Sequence, residues 1–176
     1  MTEEVILVDE NDTVLGLMEK MEAHEKGLLH RAFSVFVINS KNELLLQQRA
    51  QEKYHSGGLW TNTCCSHPRK NESNLEAAHR RLMEEMGFDC ELSKLLDFVY
   101  RAELDKGLTE HEFDHVFVGH WEGIPNINQE EVANYKWVDV DVLEKDMEHQ
   151  PEQYTEWFKI IYEKFLNHVR HASNGK

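Results

Sequence analysis

The segment of residues 60–88 constrains the fold of this chain more than any other, because an extended run, a turn and an amphipathic helix follow one another within it. Pro68 ends the extended run, and Ser73 with Glu76 forms the pattern of a capping box that opens a helix. Gly87 is a typical left-handed residue at a helix end. The segment therefore predicts a strand-loop-helix unit.

Two adjacent cysteines in the extended part of this unit point to opposite faces of the strand. Residues two apart in a strand point to the same side, so Cys65 and His67 share one face while Cys64 and Ser66 share the other. We take Cys64 as structural and expect its replacement by alanine to be nearly silent. The ordinary alternative for Cys65 is a buried and inert thiol.

The helix that follows has a buried stripe and a charged border. Its apolar positions at helical spacing are Leu75, Ala78, Leu82 and Met86. At about 100° per residue, Arg81 and Glu85 border this stripe, whereas Arg80 and Glu84 point away from it. Glu85 and Arg81 are therefore better placed to face a site beside the core. A simpler alternative is that these residues form ordinary ion pairs on a solvated helix.

The same residues resemble the Nudix box, G-x5-E-x7-R-E-U-x-E-E-x-G-U, the strand-loop-helix signature of enzymes that act on diphosphates. Glu72 and Arg80 match its spacing, and the sequence then continues to the expected glycine. Two positions depart from the pattern: Ser66 replaces the first glycine, and Arg81 replaces the glutamate after the arginine. That glutamate belongs to the metal site of the hydrolases, so the second departure speaks against pyrophosphohydrolysis.

The flanking motif Trp60-Thr61-Asn62…Cys65…His67-Pro68 and the segment E-H-E extend the likeness, and over roughly residues 5–157 the chain resembles the type 1 isopentenyl-diphosphate isomerases. That family moves a double bond, converting isopentenyl diphosphate to dimethylallyl diphosphate by protonation at C4 and deprotonation at C2. The resemblance implies an α+β fold with a Nudix-like mixed β-sheet flanked by helices. We expect a single domain over residues 1–176, with residues 172–176 frayed.

The resemblance also implies a divalent-ion site of three histidines and two glutamates, namely His24, His30, His67, Glu110 and Glu112. Nitrogen and oxygen donors together suit Mn²⁺, Mg²⁺ or Zn²⁺. A second ion, Mg²⁺, is implied at Glu85 with the diphosphate. The alternative for the two N-terminal histidines is that they bracket a solvated loop, and for the glutamate pair that it lies on an exposed edge strand.

Catalysis is implied for Cys65 and Glu112, with Tyr100 assisting proton delivery to C4 and Cys65 removing the proton at C2. Substrate binding is implied for six further side chains, namely Lys20, Arg49, Lys53, Arg81, Trp60 and Trp157. The cations would bind the diphosphate, and the indole rings would stabilise a carbocation through their faces. The alternatives are surface cations and core packing of the indoles.

Composition limits the partners of this 176-residue chain. Its net charge is −14, from 33 acidic and 19 basic residues, which argues against nucleic acid and anionic membranes. Three cysteines, two of them adjacent, do not form a disulfide pattern, and the start shows no secretory signal, so we expect a cytoplasmic protein. We also expect a small-molecule diphosphate as substrate and a monomer or weak dimer.

Two functions of other classes compete with the isomerase. A Nudix hydrolase of nucleoside diphosphate derivatives would share the fold, but Cys65 with Glu110 and Glu112 would have no obvious task in it. A catalytically inactive module that binds a diphosphate or a protein would have no need of a tightly held ion. Metal content and products therefore discriminate among the three.

Overall fold

The computed structural model describes residues 2–174, and its central strand is β3 (His30–Ile38), which is buried along almost its whole length. This strand runs parallel to β8 (Thr109–His120) on one side and antiparallel to β6 (Cys64–Ser66) on the other. A nearly continuous apolar run is typical of a strand that is covered on both faces. β3 therefore brings its neighbours β6 and β8, with their polar side chains, together at the buried centre of the sheet.

Nine strands of the described chain belong to one mixed sheet, flanked by helices. The remaining strands are β1 (Glu4–Val8), β2 (Val14–Glu19), β4 (Glu43–Arg49), β5 (Trp60–Thr61), β7 (Leu92–Glu103) and β9 (Val132–Asp139), and the helices are α1 (Lys20–Lys26), α2 (Asn74–Met86), α3 (Val140–His149) and α4 (Glu156–Asn174). Strand β7 is antiparallel to β8, β1 forms a hairpin with β2, and β4 pairs with β5 and β9. This is the α+β arrangement that the sequence predicted.

Alternate residues of β3 supply two separate cores, because side chains on a strand alternate between the faces of the sheet. Val35 packs with Leu82 of α2 on one face. Phe36 packs on the other face, where its ring stacks on Phe165 of α4 at a centroid distance of 4.5 Å. The sheet is thus held between α2 and α4.

Helix α2 begins and ends where the sequence predicted. The Ser73 side chain accepts a hydrogen bond from the Glu76 amide, the Glu76 side chain completes the capping box, and Gly87 is left-handed with φ 72°. One residue of the predicted stripe is wrong: Leu75 is 41% exposed, because it lies in the first turn before the helix contacts the sheet.

One other segment differs from the prediction. The segment from His24 to His30 was expected to be a loop, but it begins inside α1, whose first turn is capped by the Glu19 carboxylate. A seven-residue helix has too little apolar periodicity to be recognised in a sequence. Helix α4 extends to Asn174, the fraying predicted for residues 172–176 stays a prediction, and residues 175–176 lie outside the described part of the chain. Within residues 2–174, no helix has the length and apolar character needed to cross a membrane.

Candidate active site

Five of the predicted metal ligands converge in the structure. The ligand atoms of all five lie within 4.8 Å of one another, and the set comprises His24, His30, His67, Glu110 and Glu112. The Nε2 atoms of His30 and His67 lie 3.2 and 2.8 Å from Oε2 of Glu112, and Nε2 of His24 lies 3.3 Å from Oε1 of Glu110. Four of the five side chains are buried, so the solvated-loop and exposed-strand alternatives are wrong.

Strand register places Glu112 at the centre of this cluster. His30 on β3 is its direct partner across the parallel β3–β8 pair, and Tyr100 on β7 is its partner across the antiparallel pair. Partners in register point to the same face of a sheet. The Tyr100 hydroxyl consequently reaches Glu112 and donates a hydrogen bond to Oε1.

Backbone carbonyls orient two of the imidazoles. Nδ1–H of His24 donates to the Lys20 carbonyl at 2.7 Å, and Nδ1–H of His30 donates to the Leu28 carbonyl at 2.9 Å. Nε2 of each ring therefore faces the glutamates, where it donates to a carboxylate when the imidazole is protonated and offers its lone pair when the imidazole is neutral. Histidines that bind metals typically donate the other ring N–H in this way.

The two carboxylates have different electrostatic environments. Burial, together with the negative charge of Glu110, raises the pKa of Glu112 to about 7. Burial opposes ionisation of Glu110 as well, but the hydrogen bond from His24 holds its pKa well below the usual range. Oε2 of Glu110 is buried and has no hydrogen-bond partner among the described residues. A buried unpaired carboxylate oxygen beside oriented imidazoles fits a divalent cation.

A cavity opens beside the cluster, and its lining includes the four predicted cations Lys20, Arg49, Lys53 and Arg81. Three acidic residues of the lining pair with them: Glu3 with Lys20, Glu131 with Lys53, and Glu85 with Arg81. An anion that binds Lys20, Lys53 or Arg81 therefore competes with a carboxylate. The positive side chains are concentrated here although the chain as a whole is strongly acidic.

Arg81 and Glu85 face the cavity, as the helix geometry predicted. Glu85 is 5% exposed, and Oε1 of its carboxylate accepts a hydrogen bond from Nη2 of Arg81 at 2.9 Å. Arg80 instead pairs with Glu72, outside the cavity lining, with Nε 2.7 Å from Oε2. The simple alternative of solvated ion pairs therefore holds for Arg80 but not for Arg81.

The two cysteines occupy opposite faces, as predicted. Cys65 pairs with Ser34, lines the cavity and contacts the α4 core, whereas Cys64 pairs with Val35 and is buried in the α2 core. Burial raises the pKa of the Cys65 thiol, and the Arg49 guanidinium acts in the opposite direction. The interpretation of Cys64 as purely structural needs correction, because its Sγ donates to the Glu85 carboxylate at 2.9 Å.

Only one of the two predicted tryptophans is among the described residues that line the cavity. Trp157 lines the cavity, and the guanidinium carbon of Arg49 lies 5.1 Å from its ring centroid. Trp60 is not among the described residues of the lining, and its role in substrate binding stays a prediction. Pairing of β5 with β4 sets it against the α4 core, with Nζ of Lys136 4.2 Å from its ring centroid.

The sequence also missed members of this site. Tyr54 and His55 line the cavity directly after Lys53, and Gln47 donates to Glu85 at 3.3 Å. Lys53 was predicted to bind the substrate, and its position in the chain was the available signal for its two neighbours. Gln47 gave no such signal in the sequence, because a glutamine within a strand is typical of an ordinary polar position.

This chain is similar to several known proteins. Residues 28–158 match the model of the NUDIX domain. The isopentenyl-diphosphate Delta-isomerase of Pectobacterium atrosepticum is 55% identical to this chain, over 90% of this chain and 89% of its own length. Isopentenyl-diphosphate Delta-isomerase 2 of Aromatoleum aromaticum is 53% identical, over 95% and 88%.

A solved structure agrees in fold. The crystal structure of DR0079 from Deinococcus radiodurans superposes with a TM-score of 0.67 at 20% identity, covering 80% of this chain and 86% of that protein. At this identity the likeness concerns the fold alone. The domain match and the relatives above half identity show that the chain belongs to the isopentenyl-diphosphate Delta-isomerase family of the Nudix superfamily.

Proposed function

We propose that this chain converts isopentenyl diphosphate to dimethylallyl diphosphate. The observation that carries the proposal is the cavity in which Cys65 and Glu112 meet beside a cluster of cations. An alkene isomerisation needs one group that gives a proton and another that takes one. A hydrolase of the same fold would have no use for the thiol.

In this mechanism a proton adds to C4, the π electrons form the new C–H bond, and a tertiary carbocation remains at C3. Loss of the C2 proton then returns an electron pair as the new double bond, so protons and charge balance. Glu112, in hydrogen-bond contact with Tyr100, supplies the C4 proton. Burial and the negative charge of Glu110 raise the pKa of this carboxyl group, which favours its protonated form.

Cys65 takes the C2 proton, which requires the thiolate. Burial raises the pKa of this thiol, and the positive charge of Arg49 lowers it, so Arg49 contributes to the ionisation of Cys65 as well as to anion binding. Trp157 borders the same cavity and offers a π face to the carbocation.

Substrate recognition in this proposal rests on Lys20, Arg49, Lys53 and Arg81, which bind the diphosphate. An arginine at the Arg81 position of the Nudix box forms charge-assisted hydrogen bonds to phosphate where a glutamate would hold metal. The cluster His24, His30, His67, Glu110 and Glu112 would hold Mn²⁺, Mg²⁺ or Zn²⁺, and Glu85 would hold Mg²⁺ together with the diphosphate. These ions would supply the positive charge that buried carboxylates and a diphosphate require.

The compartment and assembly follow the same reasoning. Cys64, Cys65 and Cys90 are free thiols, which suits a reducing cytoplasm. We propose a cytoplasmic enzyme that acts on a small diphosphate as a monomer or weak dimer.

Heavy water tests the reaction. The protein is incubated with isopentenyl diphosphate, Mg²⁺ and Mn²⁺ in D₂O, and products are followed by proton NMR. We expect dimethylallyl diphosphate with deuterium in the C4 methyl group, because exchangeable groups deliver that proton. Release of phosphate from nucleoside diphosphate derivatives without any isomerisation would instead establish the hydrolase.

Cys64 has a smaller predicted role through Glu85. Replacement of Cys64 by alanine removes the thiol that donates to Glu85, so we expect the Mg²⁺ concentration for half-maximal activity to rise about tenfold, at the lower end of losses seen for outer partners of metal ligands. Cys64→Ser keeps a hydrogen-bond donor, so the Mg²⁺ concentration for half-maximal activity should rise less in this variant. A titration of activity with Mg²⁺ measures both, and an unchanged requirement in Cys64→Ala would restore the purely structural interpretation.

A further inference from the structure

His55 lies against the metal cluster without belonging to it. Its Nε2 is 3.2 Å from Oε1 of Glu110, its ring centroid is 5.8 Å from that of His24, and it is 1% exposed. It is not one of the five residues whose donor atoms lie within 4.8 Å of one another. His55 therefore touches one of those five residues rather than joining the set.

The loop that carries His55 is tightly constrained. Ser56 is left-handed with φ 53°, and its amide donates to Oδ1 of Asp105 at 2.9 Å. A Cβ atom at Gly57 would lie 2.3 Å from the carbonyl oxygen of Gln51, so only glycine fits there. Unfavourable backbone conformations persist where the surroundings fix them. The loop thus holds the imidazole in one place between the sheet and α4.

The hydrogen bonds of His55 indicate which ring nitrogen faces Glu110 with a proton. Nδ1 lies 3.1 Å from the Ser56 hydroxyl, which can donate to it and so leave the ring proton on Nε2. That Nε2 is buried and has no well-aligned hydrogen bond within the described residues. Glu110 is the acceptor within reach. Buried polar atoms are rarely left unpaired, so a small rotation of the Glu110 carboxylate completes the pair.

The other side of the ring contacts the substrate cavity. The Trp157 indole meets the His55 ring edge to face at a centroid distance of 5.4 Å, and the His55 carbonyl accepts a hydrogen bond from Nη2 of Arg49 at 3.1 Å. One residue thus joins Glu110, the proposed diphosphate-binding arginine and the aromatic wall. This arrangement would lose its connection to the carboxylate if the imidazole were removed.

We propose that His55 is a positioning residue that fixes Glu110 for its divalent ion by donating a hydrogen bond from Nε2. The proposal rests on the metal site of the proposed function. Hydrogen-bond partners of metal ligands orient them, and their loss costs about 10–100-fold in metal affinity. His55 has this relation to Glu110, as the backbone carbonyls have to His24 and His30.

The test compares two amides that differ in reach. Metal-free wild type, His55→Gln and His55→Asn are titrated with Mn²⁺, and free Mn²⁺ is followed by its electron paramagnetic resonance signal. The glutamine amide nitrogen reaches about as far from the backbone as Nε2, whereas that of asparagine reaches only as far as Nδ1. We expect His55→Asn to bind Mn²⁺ about tenfold or more weakly and His55→Gln to stay within a few-fold of wild type.

The control is His115→Gln, which alters another buried histidine–carboxylate pair, with Nε2 3.0 Å from Asp12, outside the cavity. It should bind Mn²⁺ like wild type. Equal weakening in His55→Gln and His55→Asn, or none in either, would overturn the proposal. The two failures are distinguishable: intact Mn²⁺ binding without isomerase activity counts against the proposed function, whereas an active isomerase without the glutamine–asparagine difference counts against His55 alone.

Discussion

Replacement of Cys65 by alanine is expected to reduce isomerase turnover by about 10³-fold or more while the protein still binds a diphosphate. The thiol is the proposed base at C2, and positioned acids and bases contribute about 10²–10⁴-fold to rate. The four cations that line the cavity are left in place, so the affinity for the anion should change by less than threefold, which is small beside the loss of turnover. NMR of dimethylallyl diphosphate formation gives the turnover, and calorimetric titration with inorganic pyrophosphate gives the affinity.

Cys90→Ala is the matched control for this prediction. Cys90 is also a free thiol but lies outside the cavity lining, beside Gly119, so turnover should match wild type. Cys65→Ser separates loss of the side chain from loss of its acidity, because a hydroxyl of similar size is a far weaker acid than a thiol. Turnover in Cys65→Ala within tenfold of wild type would remove Cys65 from the catalytic step.

The fold was predictable where local chemistry is strong. The capping box at Ser73 and the glycine at 87 fix the ends of α2, and period-two alternation assigns Cys64 and Cys65 to opposite faces of β6. Helix α1 was missed because seven residues carry no periodic signal, and its stability depends on a cap by Glu19 and on packing against β8. Leu75 was misplaced because helical spacing does not tell where along a helix the contact with the sheet begins.

The site was predictable only in part, for a related reason. Cys65 and Glu85 could be assigned to a face from spacing within one element. The meeting of His24 with Glu110 across 86 residues depends on which strands become neighbours, and that information came from the family resemblance. The place of Trp60 depends on the same information, since the pairing of β5 with β4 sets its ring against the α4 core.

Glu112→Gln is expected to lower turnover by about 10³-fold or more and also to weaken metal binding. One substitution removes the proposed proton donor at C4 and changes the carboxylate that faces His30 and His67. Glutamine keeps the size of the side chain, so the loss should not arise from unfolding. Turnover at saturating Mn²⁺ isolates the proton-transfer part, and metal content by atomic absorption reports the ligand part.

Two variants frame the interpretation of Glu112. Tyr100→Phe keeps the carboxylate but removes the hydroxyl that donates to it, so turnover should fall by an intermediate factor, on the order of 10²-fold, with metal content unchanged. Glu103→Gln, at an exposed position of the adjacent strand β7, should leave both quantities as in wild type. If saturating Mn²⁺ restored full turnover to Glu112→Gln, this carboxylate would be a metal ligand alone. The C4 proton would then have to come from another group, such as Tyr100, which is in direct hydrogen-bond contact with Glu112.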